Sequence, residues 1–388
     1  MILDKKRKRA AKIALLCTFS TVPRTLKMAK ILANAGYDVH IIEWDRTGSK
    51  PRTEVKNGIL FKRLNFKAGY GLKVFYLMPI WFMFVLIQVL IGGYHIIQPQ
   101  NLDSLLPTLL ATKIIRIISR KRRGRIIYDL ADFYSDAYVA DVPIISQLCA
   151  ILERLLIRKV DAVILVSERQ VLQVRARNLP QRVILFYNTP DENFTDDSSP
   201  LERGTTENVL TLFYAGSLSR DRISLLLNVI KAIKSLPVKI IVAGFGEYED
   251  LIRRLSETNM QLVFLGYLEY GKIMKFAKRM DVILLPYDSR YINNRVGLPN
   301  KFFEAMACKC LILAPSNTYM GEIVEKNKIG ITVDYNDPAA IRHAVRSILS
   351  TEKNTIETFK DRAKVFYIKR FNQQKINMKY LELVRSFV

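Results

Sequence analysis

Residues that commonly hold metal ions are scarce in this chain, which has three histidines and four cysteines among 388 residues. The closely spaced Cys308 and Cys310 have no second Cys or His pair with which to complete a zinc site. No Asp-x-Asp motif follows a predicted strand, because Asp196 and Asp197 stand in a polar stretch. We therefore predict no metal site, and cysteines spread through apolar segments indicate free thiols in a reducing compartment.

Acidic residues are also few, since 36 Asp and Glu stand against 60 Lys and Arg, a formal net charge of +24. Basic residues cluster at positions 5–9 and 120–125. Such an excess suits nucleic acid, an anionic membrane surface or phosphorylated substrates. The basic runs lack interleaved aromatic residues and no recognisable nucleic-acid-binding motif is present, so we predict no nucleic-acid partner and retain the other two.

Charge is absent altogether from residues 74–92, which Pro79 and Gln88 alone interrupt. Its length would suit a membrane-spanning helix. It falls between two strands of one predicted sheet, however, and a sheet cannot be assembled across a bilayer. A buried crossover helix is a second alternative, although a helix that is apolar all round is unusual on one face of a sheet. We favour a helix lying in the membrane interface, with neighbouring basic residues on anionic headgroups.

The order of apolar strand-like runs and helical patterns predicts an α/β protein with two doubly wound, Rossmann-like domains facing a cleft. We expect an N-terminal domain over 1–190, a polar linker over 191–208 and a C-terminal domain over 209–350. A helical region at 351–388 is expected to pack back on the first domain. Ligands of such sheets bind outside the carboxyl ends of the strands.

One such strand end carries the loop and helix start Gly297-Leu298-Pro299-Asn300-Lys301, followed by Glu304. Backbone N–H groups at a helix start attract phosphate, and Lys301 adds a full positive charge. Glu304 lies on the same helix face as Lys301 and can accept hydrogen bonds from ribose hydroxyls. The pattern suits a nucleoside diphosphate, although an ordinary amphipathic helix with Pro in its first turn is the plain alternative.

Three other turns follow strands of the second domain. The first carries Gly216 and Ser217 and reaches Arg222, a cation that suits the growing charge of a leaving diphosphate. The second carries Gly244 and Gly246, which permit close backbone approach but do not form a dinucleotide-binding motif. The third carries Tyr267, which could frame a nucleobase or belong to an ordinary turn.

The order of these segments resembles the family 4 glycosyltransferases, which have the GT-B fold. The matching parts of the second domain are residues 214–233, 240–255, 263–287 and 297–316. In the first domain, residues 22–39 look like the family's opening strand–helix–strand, and 101–107 and 128–132 look like its acceptor-side loops.

The resemblance implies a role for individual residues of the donor side. Arg222 would pair with the donor's diphosphate, Lys301 would do so from the PNK form of the donor loop, and Glu304 would hold the ribose. Backbone contacts around the diphosphate and base are implied for a further set of residues, namely Gly216, Ser217, Gly244, Gly246, Tyr267, Pro299 and Asn300.

The chain departs from the family's pattern at three positions. Val296 stands where the family has the first glutamate of its E-x7-E motif, Ser217 replaces an arginine, and Ala131 with Asp132 replaces His-Glu. These changes bear on the donor sugar more than on the nucleotide. For the acceptor side the candidates are Arg24, Asp103 and Asp132, where a carboxylate could orient or deprotonate a hydroxyl or simply cap a helix.

The resemblance implies retaining transfer of a sugar from a UDP- or GDP-linked donor, with no metal or other cofactor. The catalytic residues would be Arg222, Lys301 and Asp132. The charge and the apolar segment then suggest a lipid-linked or polysaccharide acceptor and an enzyme bound to the cytoplasmic face of the membrane, of open oligomeric state. Two alternatives remain: a non-catalytic sugar- or nucleotide-binding protein on the same fold, and a sugar-nucleotide epimerase or phosphorylase.

Overall fold

The computed structural model describes residues 10–20, 22–68, 74, 76–119, 124–139, 142–170, 180, 182–190 and 209–388. Three features of the sequence lie outside the described residues. They are the basic residues 5–9, the basic residues 120–123 and the predicted linker 191–208, which includes Asp196 and Asp197.

The chain divides into two compact units. The first unit comprises Met1–Phe186 together with Lys375–Val388, and the second comprises Tyr187–Gln374. Both are α/β units with Rossmann-like sheets, as the alternating pattern predicts.

The sheet of the first unit is built from strands that are apolar along most of their length, because helices cover both faces. These strands are β1 (Lys12–Cys17), β2 (Asp38–Asp45), β3 (Thr53–Lys56), β4 (Ile59–Asn65), β5 (Ile96–Pro99), β6 (Arg125–Leu130), β7 (Ala162–Leu165) and β8 (Val183–Leu185). Among the described residues they form one eight-stranded sheet in the order β3-β4-β2-β1-β5-β6-β7-β8. Within the part of the chain that the structure describes, β3 and β4 are the pair that runs antiparallel.

The hairpin of β3 and β4 was absent from the predicted alternation of strands and helices. Its turn is Asn57-Gly58, and both residues have positive φ, 53° and 73°. Asn-Gly is the pair that a two-residue hairpin turn of this kind requires. The signal was therefore present in the sequence.

Helices of the first unit connect parallel strands of the sheet, and such connections are right-handed as a rule. They are α1 (Pro23–Asn34), α2 (Met78–Gly92), α3 (Asn101–Ser119), α4 (Tyr134–Ala137) and α5 (Pro143–Ile157). The connections through α2, α3 and α5 all advance in one direction along the sheet. Because such connections have the same hand, these three helices form a layer on one face of the sheet. In this layer α2 packs against α3, and α3 packs against α5.

Residues 78–92 of the apolar segment form α2, a crossover helix with two different faces. Trp81, Val85 and Val89 are buried, and Trp81 stacks on Trp44 with ring centroids 6.2 Å apart. The opposite face carries exposed apolar side chains, including Met83. Among the described residues, no helix is both long and apolar enough to cross a membrane.

The second unit has a sheet in which all described strands are parallel. The strands are β9 (Leu210–Ser217), β10 (Val238–Phe245), β11 (Leu262–Phe264), β12 (Val282–Leu284), β13 (Leu311–Pro315) and β14 (Gly330–Val333). Within the described residues their order is β11-β10-β9-β12-β13-β14, so strand order reverses between β9 and β12. Ligands of doubly wound sheets bind at such a reversal, outside the carboxyl ends of the strands.

Helices complete the second unit and the C-terminal region. They are α6 (Arg220–Ala232), α7 (Glu249–Thr258), α8 (Tyr270–Ala277), α9 (Ile292–Val296), α10 (Asn300–Ala307), α11 (Tyr319–Asn327), α12 (Pro338–Ser350), α13 (Lys353–Arg370) and α14 (Gln373–Arg385). The region 351–388 is divided: α13 packs on α10 in the second unit, and most of α14 belongs to the first. There Tyr380 donates a 2.6 Å hydrogen bond to Gln98.

Candidate functional site

Two glycines allow the backbones of β9 and β10 to lie close together at the carboxyl ends of these strands. Gly216 and Gly244 are register partners, and a Cβ atom on Gly244 would lie 2.0 Å from the carbonyl oxygen of Gly216. Gly246 has φ of +140°, which side chains rarely adopt, and lies against the backbone of Leu218. Close packing of protein backbone thus accounts for Gly244, and Gly216 presents its backbone at the strand end where the sheet reverses.

Arg222 lies in the first turn of α6, directly after β9. Its guanidinium stacks over the ring of Tyr287, 3.9 Å from the ring centroid. It also donates hydrogen bonds to Asp221 and, at 3.4 Å, to the Oδ1 atom of Asn294. Tyr287 follows β12 and Asn294 lies on α9, so two neighbouring segments fix this cation at the reversal of the sheet.

Lys301 and Glu304 lie on α10, where Pro299 precedes the helix. The Nζ atom of Lys301 is 2.6 Å from Oε2 of Glu304, and both side chains are largely buried. Pro299, at the N-cap position of α10, makes no side-chain hydrogen bond to the first N–H groups of the helix. Asn300 is engaged elsewhere and accepts a 2.7 Å hydrogen bond from Asn188.

The Tyr287 hydroxyl is influenced by charged groups from two segments of the site. Burial raises the pKa of its hydroxyl to about 12, the positive charge of Arg222 opposes this rise, and the negative charge of Glu304 adds to it. Both charged groups therefore act on one hydroxyl. Arg222, Lys301 and Glu304 were predicted from the sequence, whereas Tyr287 and Asn294 were not. The available signal for Tyr287 was its position shortly after an apolar strand.

A pair of exposed aromatic rings stands at the ends of β10 and β11. Tyr267 and Phe245 make an edge-to-face contact with centroids 5.6 Å apart. Both rings are substantially exposed. Ser217, at the end of β9, is also exposed. Val296 closes the short helix α9, one residue before Gly297, and places an aliphatic side chain where the family pattern has a carboxylate.

The acceptor-side candidates belong to the first unit. Asp103, in the first turn of α3, accepts hydrogen bonds from Thr18 at 3.0 Å and Ser104 at 3.1 Å. Burial raises the pKa of the Asp103 carboxyl to about 6, while these hydrogen bonds oppose the rise. Asp132 follows β6; its backbone N–H donates to Asn101 at 3.2 Å.

Arg24 is buried inside the first unit. Its guanidinium donates to both carboxylate oxygens of Asp129, the shortest contact being 2.8 Å, and to the carbonyl of Phe186 at 2.6 Å. Its side chain is 4% exposed. The role of Arg24 toward an acceptor stays a prediction. In the structure Arg24 has a second role, because it neutralises the buried carboxylate of Asp129, which precedes the loop that carries Asp132.

Sequence comparison identifies the family of the chain. Residues 21–189 match the model of the glycosyl transferase 4-like domain, and residues 210–351 match that of the glycosyl transferases group 1. These two regions contain the acceptor-side and donor-side candidates, respectively. The chain belongs to the group 1, or family 4, glycosyltransferases.

Two curated relatives are similar over part of the chain. Each is described as a putative colanic acid biosynthesis glycosyltransferase WcaL, from Salmonella typhimurium and Escherichia coli, and each is 26% identical over about 150 residues. The aligned region covers 37% of this chain and 36% of the relative in both cases. The chain thus matches about a third of the length of these relatives.

Solved structures resemble the whole chain and define its fold. A sucrose-phosphate synthase from Thermosynechococcus elongatus has a TM-score of 0.76 at 14% identity, covering 97% of this chain and 98% of that one. HepE from Anabaena, in complex with UDP and glucose, has a TM-score of 0.71 at 16% identity, covering 97% and 100%. The fold is GT-B, as the resemblance in the sequence implies.

Proposed function

We propose that this protein transfers a sugar from a UDP- or GDP-linked donor to an acceptor hydroxyl, with retention of configuration and without a metal ion. The acceptor would be a lipid-linked saccharide or a polysaccharide, reached at the cytoplasmic face of the membrane. Family membership supports the reaction class. The UDP and glucose in the HepE complex, and the colanic acid pathway in the names of the curated relatives, support the choice of donor and acceptor classes.

The observation that carries the proposal is the arrangement around Tyr287. Arg222 stacks on this ring, and the charges of Arg222 and Glu304 both act on its hydroxyl. Lys301 pairs with Glu304 beside the uncapped start of α10. Two cations and a helix start thus surround the end of β12, where a departing diphosphate would need neutralisation.

In many transferases a metal ion neutralises the charge of the leaving group, and in this proposal side chains have that role. Among the described residues, no group of three or more His, Cys, Asp and Glu side chains is placed to hold a metal. We therefore assign charge neutralisation to Arg222 and Lys301, with Glu304 binding the ribose. Gly216 would contribute backbone contacts, and the aromatic pair of Phe245 and Tyr267 would contact the nucleobase.

For the acceptor side, the proposal rests on carboxylates of the first unit. With its pKa at about 6, Asp103 is ionised at neutral pH and able to accept a proton from a hydroxyl. Asp132 stands in the following loop and is the second candidate. A carboxylate whose pKa lies near the operating pH is suited to proton transfer.

A non-catalytic nucleotide-binding protein is the second candidate function, and Val296 in place of a carboxylate is the observation that favours it. An epimerase is less well supported. Its mechanism would need a histidine at the strand ends, whereas His40 is buried within β2, His95 precedes β5, and His343 lies on α12.

The test is a donor screen on membranes from cells that express the protein, measuring transfer from UDP- and GDP-sugars into lipid extract. We expect one donor class to be used, and Arg222→Ala to lower kcat/KM roughly a hundredfold or more. Arg253→Ala is the matched control, because Arg253 lies on α7 in an exposed pair with Glu249. Nucleotide binding without any transfer would favour the non-catalytic protein.

A further inference from the structure

The helix layer of the first unit has an outer face that is unusually apolar. On α5, a set of aliphatic side chains with helical spacing is exposed; its members are Ile144, Ile145, Leu148, Ile151, Leu152 and Leu155. Ile144 is 75% exposed and Leu148 is 62% exposed. The side chains of Glu153 and Ile157 on the same helix are buried. The helix therefore turns a carboxylate toward the protein and a leucine–isoleucine stripe away from it.

Exposed apolar side chains also occur on the other two helices of the layer. On α2 the exposed residues are Ile80, Met83, Ile87 and Ile91, which also recur at helical spacing. On α3, Ile117 and Ile118 are exposed near the C-terminal end. Because packed helices lie 8–10 Å apart, the three stripes together extend on the order of 20 Å across the layer. Exposed apolar patches on monomeric proteins rarely exceed a few hundred Å².

The charges of this face have one sign. The carboxylates of α2, α3 and α5 are Asp103 and Glu153, and both face inward: Asp103 is hydrogen-bonded to Thr18, and Glu153 is buried. Exposed cations lie among the apolar stripes, namely Lys113 and Arg116 on the central helix α3 and Arg158 and Lys159 after α5. Exposed apolar side chains interspersed with cations are the pattern of a surface that lies in the interface of an anionic bilayer.

A groove extends this face at the C-terminal ends of α2 and α3. It has a volume of about 900 Å³ and is lined by aliphatic side chains, among them Ile91, Ile114 and Ile118, and by Phe387. Ile91 and Ile118 belong both to the groove and to the exposed stripes. Tyr94, His95 and Arg125 also line it, so the walls of the groove are of mixed polarity.

We propose that the outer face of α2, α3 and α5, called here the α5 face, docks the protein on a bilayer containing anionic lipid. A second copy of the chain is a poorer occupant, because the cations of two such faces would oppose each other. The inference is compatible with the proposed membrane acceptor but does not depend on it, since the α5 face would bind a bilayer whatever sugar is transferred.

The docking surface also differs from that expected from the sequence. Trp81, an obvious candidate for an interfacial anchor in segment 74–92, is fully buried against Trp44. The exposed apolar side chains available to a bilayer are those of α5 and of the outer stripe of α2, with α3 between them.

The experiment is co-sedimentation of the purified full chain with vesicles of phosphatidylcholine, with and without phosphatidylglycerol. We expect binding to the mixed vesicles, and at least a roughly tenfold loss of partitioning when Ile144→Ser, Leu148→Ser and Ile151→Ser are combined. The matched control combines Val365→Ser and Ile368→Ser, two exposed aliphatic residues of α13. Replacing Lys113 and Arg116 with Gln should weaken binding only to vesicles that contain phosphatidylglycerol.

Three results would overturn the proposal. They are no vesicle binding by the unaltered protein, equal loss in the control variant, and concentration-dependent dimers that the α5 substitutions abolish, which would assign the α5 face to a second copy. Nucleotide binding by the second unit is measured on the same samples, and it should be unchanged in the α5 variant. Loss of vesicle binding with intact nucleotide binding therefore reports on docking, whereas absent sugar transfer with intact vesicle binding reports on the proposed reaction.

Discussion

The guanidinium of Arg222 lies 3.9 Å from the centre of the Tyr287 ring, while its nitrogen atoms contact Asp221 and Asn294. Stacking on an aromatic face holds the plane of a guanidinium and leaves its edge for hydrogen bonds. Arg222, the cation that would meet the diphosphate, is thus oriented by Tyr287. This tyrosine follows β12, which lies beside β9 in the other half of the sheet.

Replacing Tyr287 separates the role of its ring from that of its hydroxyl. Tyr287→Ala removes the face on which Arg222 stacks, so donor affinity should fall by roughly tenfold, in line with a cation–π contact in a partly desolvated site. Tyr287→Phe keeps the face and should bind the donor nearly as well as the unaltered protein. Isothermal titration calorimetry with UDP measures both, and equal losses in the two variants would contradict a supporting role for the ring.

Glu304→Gln tests the assignment of Glu304 to the ribose. A charged hydrogen bond to a hydroxyl contributes about 1.5–3 kcal/mol, so affinity for UDP should fall by that amount. With 2′,3′-dideoxy-UDP the same substitution should have little effect, because the hydroxyls are missing. Glu249→Gln, in an exposed ion pair on α7, is the control. A loss of equal size for both nucleotides would instead mean that Glu304 acts by holding Lys301.

The buried pair of Arg24 and Asp129 should be essential for the stability of the first unit. Arg24→Leu would leave the Asp129 carboxylate buried without its cation, which costs about 3–5 kcal/mol. Combining Arg24→Leu with Asp129→Leu should recover much of the loss, because no unpaired charge then remains. Thermal unfolding of the three variants measures this. If the single variant keeps its stability but loses acceptor affinity, the acceptor-side prediction for Arg24 gains support.

Glu153 should make the first unit less stable as pH rises. Burial raises the pKa of its carboxyl from 4.5 to about 8, while hydrogen bonds from Tyr128 and the backbone of Tyr134 oppose the rise. The folded protein therefore holds this proton at pH values where the unfolded chain has released it. The resulting stability is complete below about pH 4.5 and is lost as pH rises toward 8.

The substitution Glu153→Gln checks this pH dependence, because glutamine keeps the shape and one accepting oxygen and has no titratable proton. Between pH 4.5 and 8, the unaltered protein should lose on the order of a few kcal/mol relative to Glu153→Gln. Differential scanning calorimetry across this range is the measurement, with exposed Glu382→Gln as the control. Parallel pH profiles for the unaltered protein and Glu153→Gln would contradict the raised pKa.

Much of the fold could be predicted from local sequence pattern. Strands buried on both faces have continuous apolar runs, so β1 and β9 were recognisable without any tertiary information. The antiparallel strand β3 was not predicted, because Thr53–Lys56 is short and polar. The Asn57-Gly58 turn nevertheless indicated a hairpin. The positions of Arg222, Lys301 and Glu304 at strand ends followed from the order of elements alone.

Contacts between distant segments could not be predicted in this way. Gly244 suggested a close ligand, whereas the nearest atom to its missing side chain is the carbonyl of Gly216 on the paired strand. Tyr287 had no motif of its own, and its place beneath Arg222 depends on β9 and β12 being neighbours in the sheet. Such relations depend on strand order, which leaves no local signature.

The sequence by itself determined that this is an α/β protein of two Rossmann-like sheets with cationic and carboxylate side chains at the strand ends, because periodicity and strand–helix order are local properties. Only the tertiary structure decided which side of an amphipathic helix faces the protein. On α5 the hydrophobic pattern marks a stripe but not its direction, and packing on the sheet turns Glu153 inward and Leu148 outward. The direction is set by the partners available to Glu153, two hydrogen-bond donors on Tyr128 and Tyr134, which make burial of its carboxyl tolerable.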